Sequence, residues 1–496
     1  MLALAERLAG RLADARREIE EVVKQMPIDY LALSEQAQVY RAQGDEASAR
    51  TIADELWRLL AREPDAALEL AFDYTRAGQR AEAKKVLEEA TGRRRARPGT
   101  SREASATEGR DAPGDYPMLN YTLGYLYAED GEQRRAAELF RQGAAAPPAY
   151  VFPHRVEEIA VLETAVATNQ RDARAAYYLG NVLAGHGRWS EAIEAWRESA
   201  RRDEPGNAVA HRNLGLALWQ ETGNKELAVS EYEQAIKGAP DDYHLYSELD
   251  RLLEAMGRTR QRISLLESAP PVVKNHSVVA QALADAYVKV GRFGDGLRVL
   301  GQTRFSAGEG EYTVLAIYRR AHLGLAHEHQ QAGEHRQAAE EFLKATEYPA
   351  NLGVGRPAMQ SQAREYVAAA RELEAAGRKE EAAGWWQKAA NDPLNSPTQP
   401  EEPWSEHYYY KAVALEHEGR RAEAFELYRR LARLNNEEEM LKAEPSPPEG
   451  AIRFELAGAG LKALGKREQA RAAFNRALAM DPGNEFARTE LSELKN

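Results

Sequence analysis

The protein, 496 residues long, contains no cysteine, which excludes disulfides, thiolate metal sites and a cysteine nucleophile. It contains no stretch of ~18 apolar residues, so no membrane-spanning helix is expected. Val and Ile never gather into alternating runs, so strands are not expected either. A basic excess is also missing. The net charge is -12, and neutralising phosphates needs a basic surface, so nucleic acid is not an expected partner. The opening MLALAERLAGRLADARREIEE carries charge every few residues and lacks the apolar core of a signal peptide, which reads as a cytoplasmic protein.

What is abundant is Ala, Leu, Glu and Arg, a helix-forming composition. The chain is too long for one compact core, a limit that a repeat array escapes because each unit buries its apolar face on its neighbours. One register recurs at Gly10, Gly44, Gly78, Gly131, Gly187, Gly223, Gly257, Gly291, Gly333, Gly377, Gly419 and Gly465. Five residues after the Gly stands an Ala, as in Ala15, Ala136, Ala192 and Ala470, with Arg262 and Gly296 as the exceptions. Four further on stands a bulky residue, such as Phe140, Trp196, Tyr232, Trp386 or Phe474, with only Ala53 small. Upstream of the Gly, a large residue usually lies four back (Tyr40, Leu183, Leu461) and a small one seven back (Ala37, Gly124, Gly180, Gly458). The Gly is expected to end a first helix in a left-handed conformation, and the Ala to let a second helix approach closely. The bulky residue is expected to fill the gap between pairs. Prolines such as Pro64, Pro205, Pro240 and Pro482 then stop the second helix.

This pattern resembles the tetratricopeptide consensus, most completely in the last unit with Phe454, Gly458, Leu461, Ala470, Phe474, Ala477 and Pro482. The interval of 34 residues from Gly10 to Gly44 and from Gly44 to Gly78 is that family's period. The resemblance implies an all-α, right-handed α-α superhelix of about twelve helix pairs. The stretches FPHRVEEIAVLETA (152–165), AAYYLGNVL (175–183), AVAHRNLGLA (208–217) and EYPANLGVG (347–355) are further similar to bacterial arrays that follow a mutarotase-like β-sandwich domain of unknown function. That sandwich is absent here, so the resemblance implies an accessory or partner-binding module. Met1 falls inside the first helix of a unit. The start therefore reads either as a shortened cap or, slightly preferred, as the carboxy-terminal part of something longer.

The expected organisation is 1–90, amino-terminal units; 91–116, a polar loop, basic at Arg93, Arg94, Arg95 and Arg97; 117–300, central units; and 301–496, units lengthened by loops near 301–311, 348–361, 393–405 and 434–450. Residues 154–168 form an extra amphipathic helix outside the register. A purely structural array is a third, minor reading. Apolar residues on the terminal helices suit either a cap or contact with another protein, so no oligomeric state follows.

No catalytic framework emerges, and no cofactor or metal is implied. His322, His327, His329 and His335 lack the i, i+4 spacing of a zinc pair, and His322 and His329, seven apart on one helix face, read as core or interface residues. Glu340, Glu341 and Glu437 to Glu439 read as solvated surface. EYPANLGVG lacks the lysine and strand of a phosphate loop. A ligand surface is the better expectation. In tetratricopeptide stacks the first helix of each pair lines a concave groove, which would expose Tyr121, Tyr125, Tyr177, Asn181 and Arg212, with Tyr178 and Asn213 beside them. Rings, amides and a guanidinium suit an extended protein or peptide segment and would also suit a carbohydrate. The same tyrosines would equally fill inter-repeat space. The lysines of the family's carboxylate clamp are not supplied here.

Overall fold

The computed structural model describes residues 1–61, 63–92, 116–148, 150–202, 207–306, 313–356, 361–394, 406–434 and 447–494. The basic loop arginines, Pro205, Glu437 to Glu439 and much of the lengthened loops lie outside the described residues. Among those described, regular structure is helix throughout, with no strand and no helix long and apolar enough to cross a membrane.

The protein divides into two compact units, Met1–Leu245 and Tyr246–Asn496. In the first unit, antiparallel pairs follow one another: Leu2–Leu8 with Leu12–Gln25, Tyr30–Ala42 with Glu46–Leu60, Pro64–Arg76 with Arg80–Gly92, and Pro117–Glu129 with Gln133–Ala145. Ala173–Gly185 with Trp189–Arg202 and Ala208–Gln220 with Lys225–Gly238 complete it. The second unit continues in pairs from Tyr243–Ala255, whose first turn crosses the division, to Arg467–Met480, and ends on Glu485–Glu493. The expected fold class, an all-α stack of helix pairs, is the observed one.

Each register glycine sits at positive φ, from 68° at Gly223 to 82° at Gly44. At Gly187 the reason is visible. Its N–H reaches Ala184 O at 2.9 Å and the Arg188 N–H reaches back to Leu183 O at 2.9 Å, which closes the helix end with a left-handed residue between the two bonds. The large residue four before the Gly is thus the one whose carbonyl takes the closing bond.

The bulky residue differs from expectation: it packs inside its own pair. A Cβ on Gly180 would lie 2.4 Å from Trp196 Nε1, and one on Gly124 would lie 2.7 Å from Phe140. The small residue seven before the turn is therefore a socket for the ring nine after it.

One pair fills the corresponding slot with charge. Asp250 and Arg262 stand where its sisters carry two small residues. Both are buried, and the guanidinium grips the carboxylate by two bonds of 2.8 and 3.0 Å. Glu254 accepts a third at 2.8 Å. Burial pushes the Asp250 carboxyl up while Arg262 opposes it.

The expected extra helix spans Glu157–Thr168 and buries Ile159, Val161, Leu162 and Ala165. It lies between the helices Pro117–Glu129 and Ala173–Gly185. Glu158 accepts from the backbone N–H groups of His154 (2.7 Å) and Arg155 (2.8 Å), which fixes its start. The Arg155 guanidinium reaches Glu69 at 2.9 Å and Asp65 at 3.2 Å, and Arg76 reaches Glu157 at 2.8 Å. The insert is thereby clamped to the helix Pro64–Arg76, across the intervening pair.

Candidate ligand cavity in the amino-terminal unit

Just before that clamp the backbone lies outside any helix, and His154 O takes a bond of 3.1 Å from His186 Nε2. This presents Phe152, 70% exposed, and Pro153 as one wall of a cavity of about 360 Å³. Trp189 and Trp196 also line it, and Leu216 and Ala217 add apolar surface. Its polar edge carries Asn181, Asn213, Gln220 and Glu221. Cavities of this size and lining, mostly apolar with a few placed polar groups, suit small ligands or single side chains.

The polar groups are oriented by elimination. An indole N–H can only donate. Trp196 Nε1 donates to Asn181 Oδ1 at 3.1 Å, so the oxygen of Asn181 must face it. The same oxygen also accepts from Asn213 Nδ2 at 3.1 Å. That leaves the Asn181 NH₂ as a donor and the Asn213 Oδ1 as an acceptor, neither with another partner among the described residues. One donor beside one acceptor matches the C=O and N–H of one residue in an extended segment.

The expected groove residues separate into three groups. Asn181 and Asn213 line the cavity. Tyr125 and Tyr177 are half-buried on the first helices either side of the insert, and Arg212 is half-buried and already engaged. Tyr121 and Tyr178 require correction: both are core. Tyr121 is fully buried, with its hydroxyl donating to Asp172 Oδ2 at 2.8 Å and its ring against Gly143 and, edge-on, Tyr178. Asp172 is the residue that caps the next first helix, accepting from Ala175 N at 2.9 Å. The neighbouring pair thus covers the ring that helical geometry alone would expose. Tyr178 is equally buried, and burial raises its hydroxyl pKa.

Phe152 and Trp189 were missed. Trp189 had a signal: two residues after the turn glycine its sisters are mostly polar or charged, such as Glu46, Lys225, Lys379 and Arg421. Phe152 had none in the register, because the insert's path places it.

Glu341 also requires correction from surface to core. It pairs with His322 at 2.5 Å and Lys344 at 2.7 Å, and these partners outweigh burial and hold its carboxyl down to about 2. His329 pairs with Glu334 and His335 with Glu372. Among the described residues no group of three or more His, Asp or Glu is placed to hold a metal. In EYPANLGVG, Asn351 Nδ2 bonds Leu300 O (2.9 Å) and Thr303 O (3.0 Å), closing the end of Phe293–Gln302.

Comparison with known proteins agrees with the repeat reading. Two models of the tetratricopeptide repeat match, one at residues 1–67, 159–200 and 179–243 and the other at 459–484. Tetratricopeptide repeats are therefore present in both units. These models describe the repeat alone and give no support to the narrower likeness to arrays that follow a β-sandwich. Among solved structures, YrrB, titled a TPR protein with an unusual peptide-binding site, is 16% identical, with 37% of this chain and 90% of that one covered and a TM-score of 0.29. A tetratricopeptide repeat protein from Parabacteroides merdae is 14% identical, covering 66% of this chain and all of that one, at 0.28. The Cut9–Hcn1 assembly is 12% identical, covering 100% and 95%, at 0.29. At such scores the likeness says nothing about what this protein binds.

Proposed function

We propose that this protein is a non-catalytic interaction scaffold that holds an extended protein segment at the cavity of its amino-terminal unit. The observation that carries the reading is the Asn181–Asn213 pair. Its free donor and acceptor would take a backbone carbonyl and a backbone N–H of the segment, while the side chain of that residue rests against Trp189, Trp196 and Phe152. The pairing needs no particular sequence, and the apolar walls select a large apolar side chain. No described feature favours a carbohydrate over this.

Selection of a random peptide library on the full-length protein tests it. The selected peptides are expected to share one apolar anchor and to weaken on Trp189→Ala by ~30-fold, the scale of losing ~2 kcal/mol of aromatic anchor contact. Selected peptides that bind Trp189→Ala and Asn213→Leu as well as wild type would remove the cavity from the reading. Saturable binding of an oligosaccharide that both variants abolish, with no peptide enriched, would replace the protein segment by a sugar.

A further inference from the structure

We propose that a second cavity, in the carboxy-terminal unit, receives a lysine or arginine side chain of a protein partner, with its charge at Glu365. This site is independent of the one above. The cavity holds about 180 Å³, and its apolar surface comes from Leu323, Phe342, Val367 and Ala368. Three first helices, Thr313–Gln331, Ala363–Ala375 and Glu406–His417, supply the remaining lining except for Phe342, which comes from His335–Lys344.

Most of its polar groups are already satisfied within the protein. Glu372 accepts from Gln330 Nε2 at 2.6 Å and pairs with His335 at 2.7 Å. Arg364 lies on both oxygens of Glu406, at 3.1 and 3.3 Å. His327 Nδ1 donates to Leu323 O at 2.6 Å. Glu365 is different, because its carboxylate has no side-chain hydrogen bond among the described residues. Burial pushes its pKa up. A hydrogen bond from its own backbone N–H and the charges of Arg364 and Arg319 work against that rise, and Glu406 works with it.

A half-buried carboxylate that meets only its own backbone N–H is under-satisfied, and a ligand cation is the group that would relieve the cost. The stem of a lysine or arginine matches the apolar floor, and the rings of Phe342 and Tyr410 add cation–π attraction. The net charge of -12 favours encounter with a basic partner. Arg371, exposed at the rim, would meet a carbonyl or carboxylate further along the same segment.

The probes are acetyl-Gly-X-Gly-amide peptides with X as lysine, arginine, norleucine or glutamate, titrated into the full-length protein by NMR. The lysine and arginine peptides are expected to bind at least about tenfold more tightly than the other two, the size of one charge-assisted hydrogen bond. Glu365→Gln should remove that preference, Glu365→Asp should keep part of it, and Trp189→Ala should leave it unchanged. Should Glu365→Gln unfold, Ala368→Arg, which fills the cavity with a tethered cation, should block the lysine peptide instead. Equal binding of the norleucine peptide, preference for glutamate, or full lysine binding by a folded Glu365→Gln or Ala368→Arg variant would overturn the proposal.

Discussion

Two helix pairs solve one packing problem in opposite ways. In Ala173–Gly185 with Trp189–Arg202, the socket is Gly180 and Ala192, and an aromatic ring from the second helix sits on the glycine. In Tyr243–Ala255 with Thr259–Ser268, the socket positions hold Asp250 and Arg262, which satisfy each other. The first arrangement leaves its polar atom directed at a neighbour: the Trp196 N–H orients Asn181, and Asn181 orients Asn213. The second directs its hydrogen bonds inward. A repeat slot thus accepts different volumes, and its chemistry decides whether the pair offers anything to a ligand.

The largest expected effect comes from breaking the charged slot. Arg262→Ala leaves Asp250 buried without its partner and should cost about 3–5 kcal/mol, seen as a lower urea midpoint. The double change Asp250→Ala, Arg262→Ala restores two small residues and should recover most of that loss. A double variant no more stable than the single one would show that the slot needs its ions. A smaller effect is expected at the aromatic slot. Gly180→Ala forces Trp196 to move and should cost about 1–3 kcal/mol of stability. It should also weaken the selected peptides, because Asn181 loses its anchor. Unchanged peptide affinity in that variant would separate packing from binding and break the comparison.

Much of the stack was legible in the sequence. Every register glycine has positive φ, because a helix end closed by paired bonds needs a left-handed residue and glycine adopts it freely. The site was legible in part. Asn181 and Asn213 followed from helical geometry, since their place depends only on their own helices and the next pair. Tyr121 did not, because Asp172 and Tyr178, residues of the following pair, close over it. Phe152 depends on a clamp that joins Arg155 to Asp65 and Glu69, and no periodicity encodes that contact.

The central claim is that the backbone N–H and C=O of one residue of the partner bond to Asn213 and Asn181. The direct measurement is a double-mutant cycle between a selected peptide, N-methylated at its anchor residue, and Asn213→Leu in the full-length protein. N-methylation removes the N–H that Asn213 Oδ1 would accept, so wild type should lose about tenfold in affinity, the scale of one hydrogen bond, and the variant almost nothing further. Equal losses in wild type and variant would contradict the account.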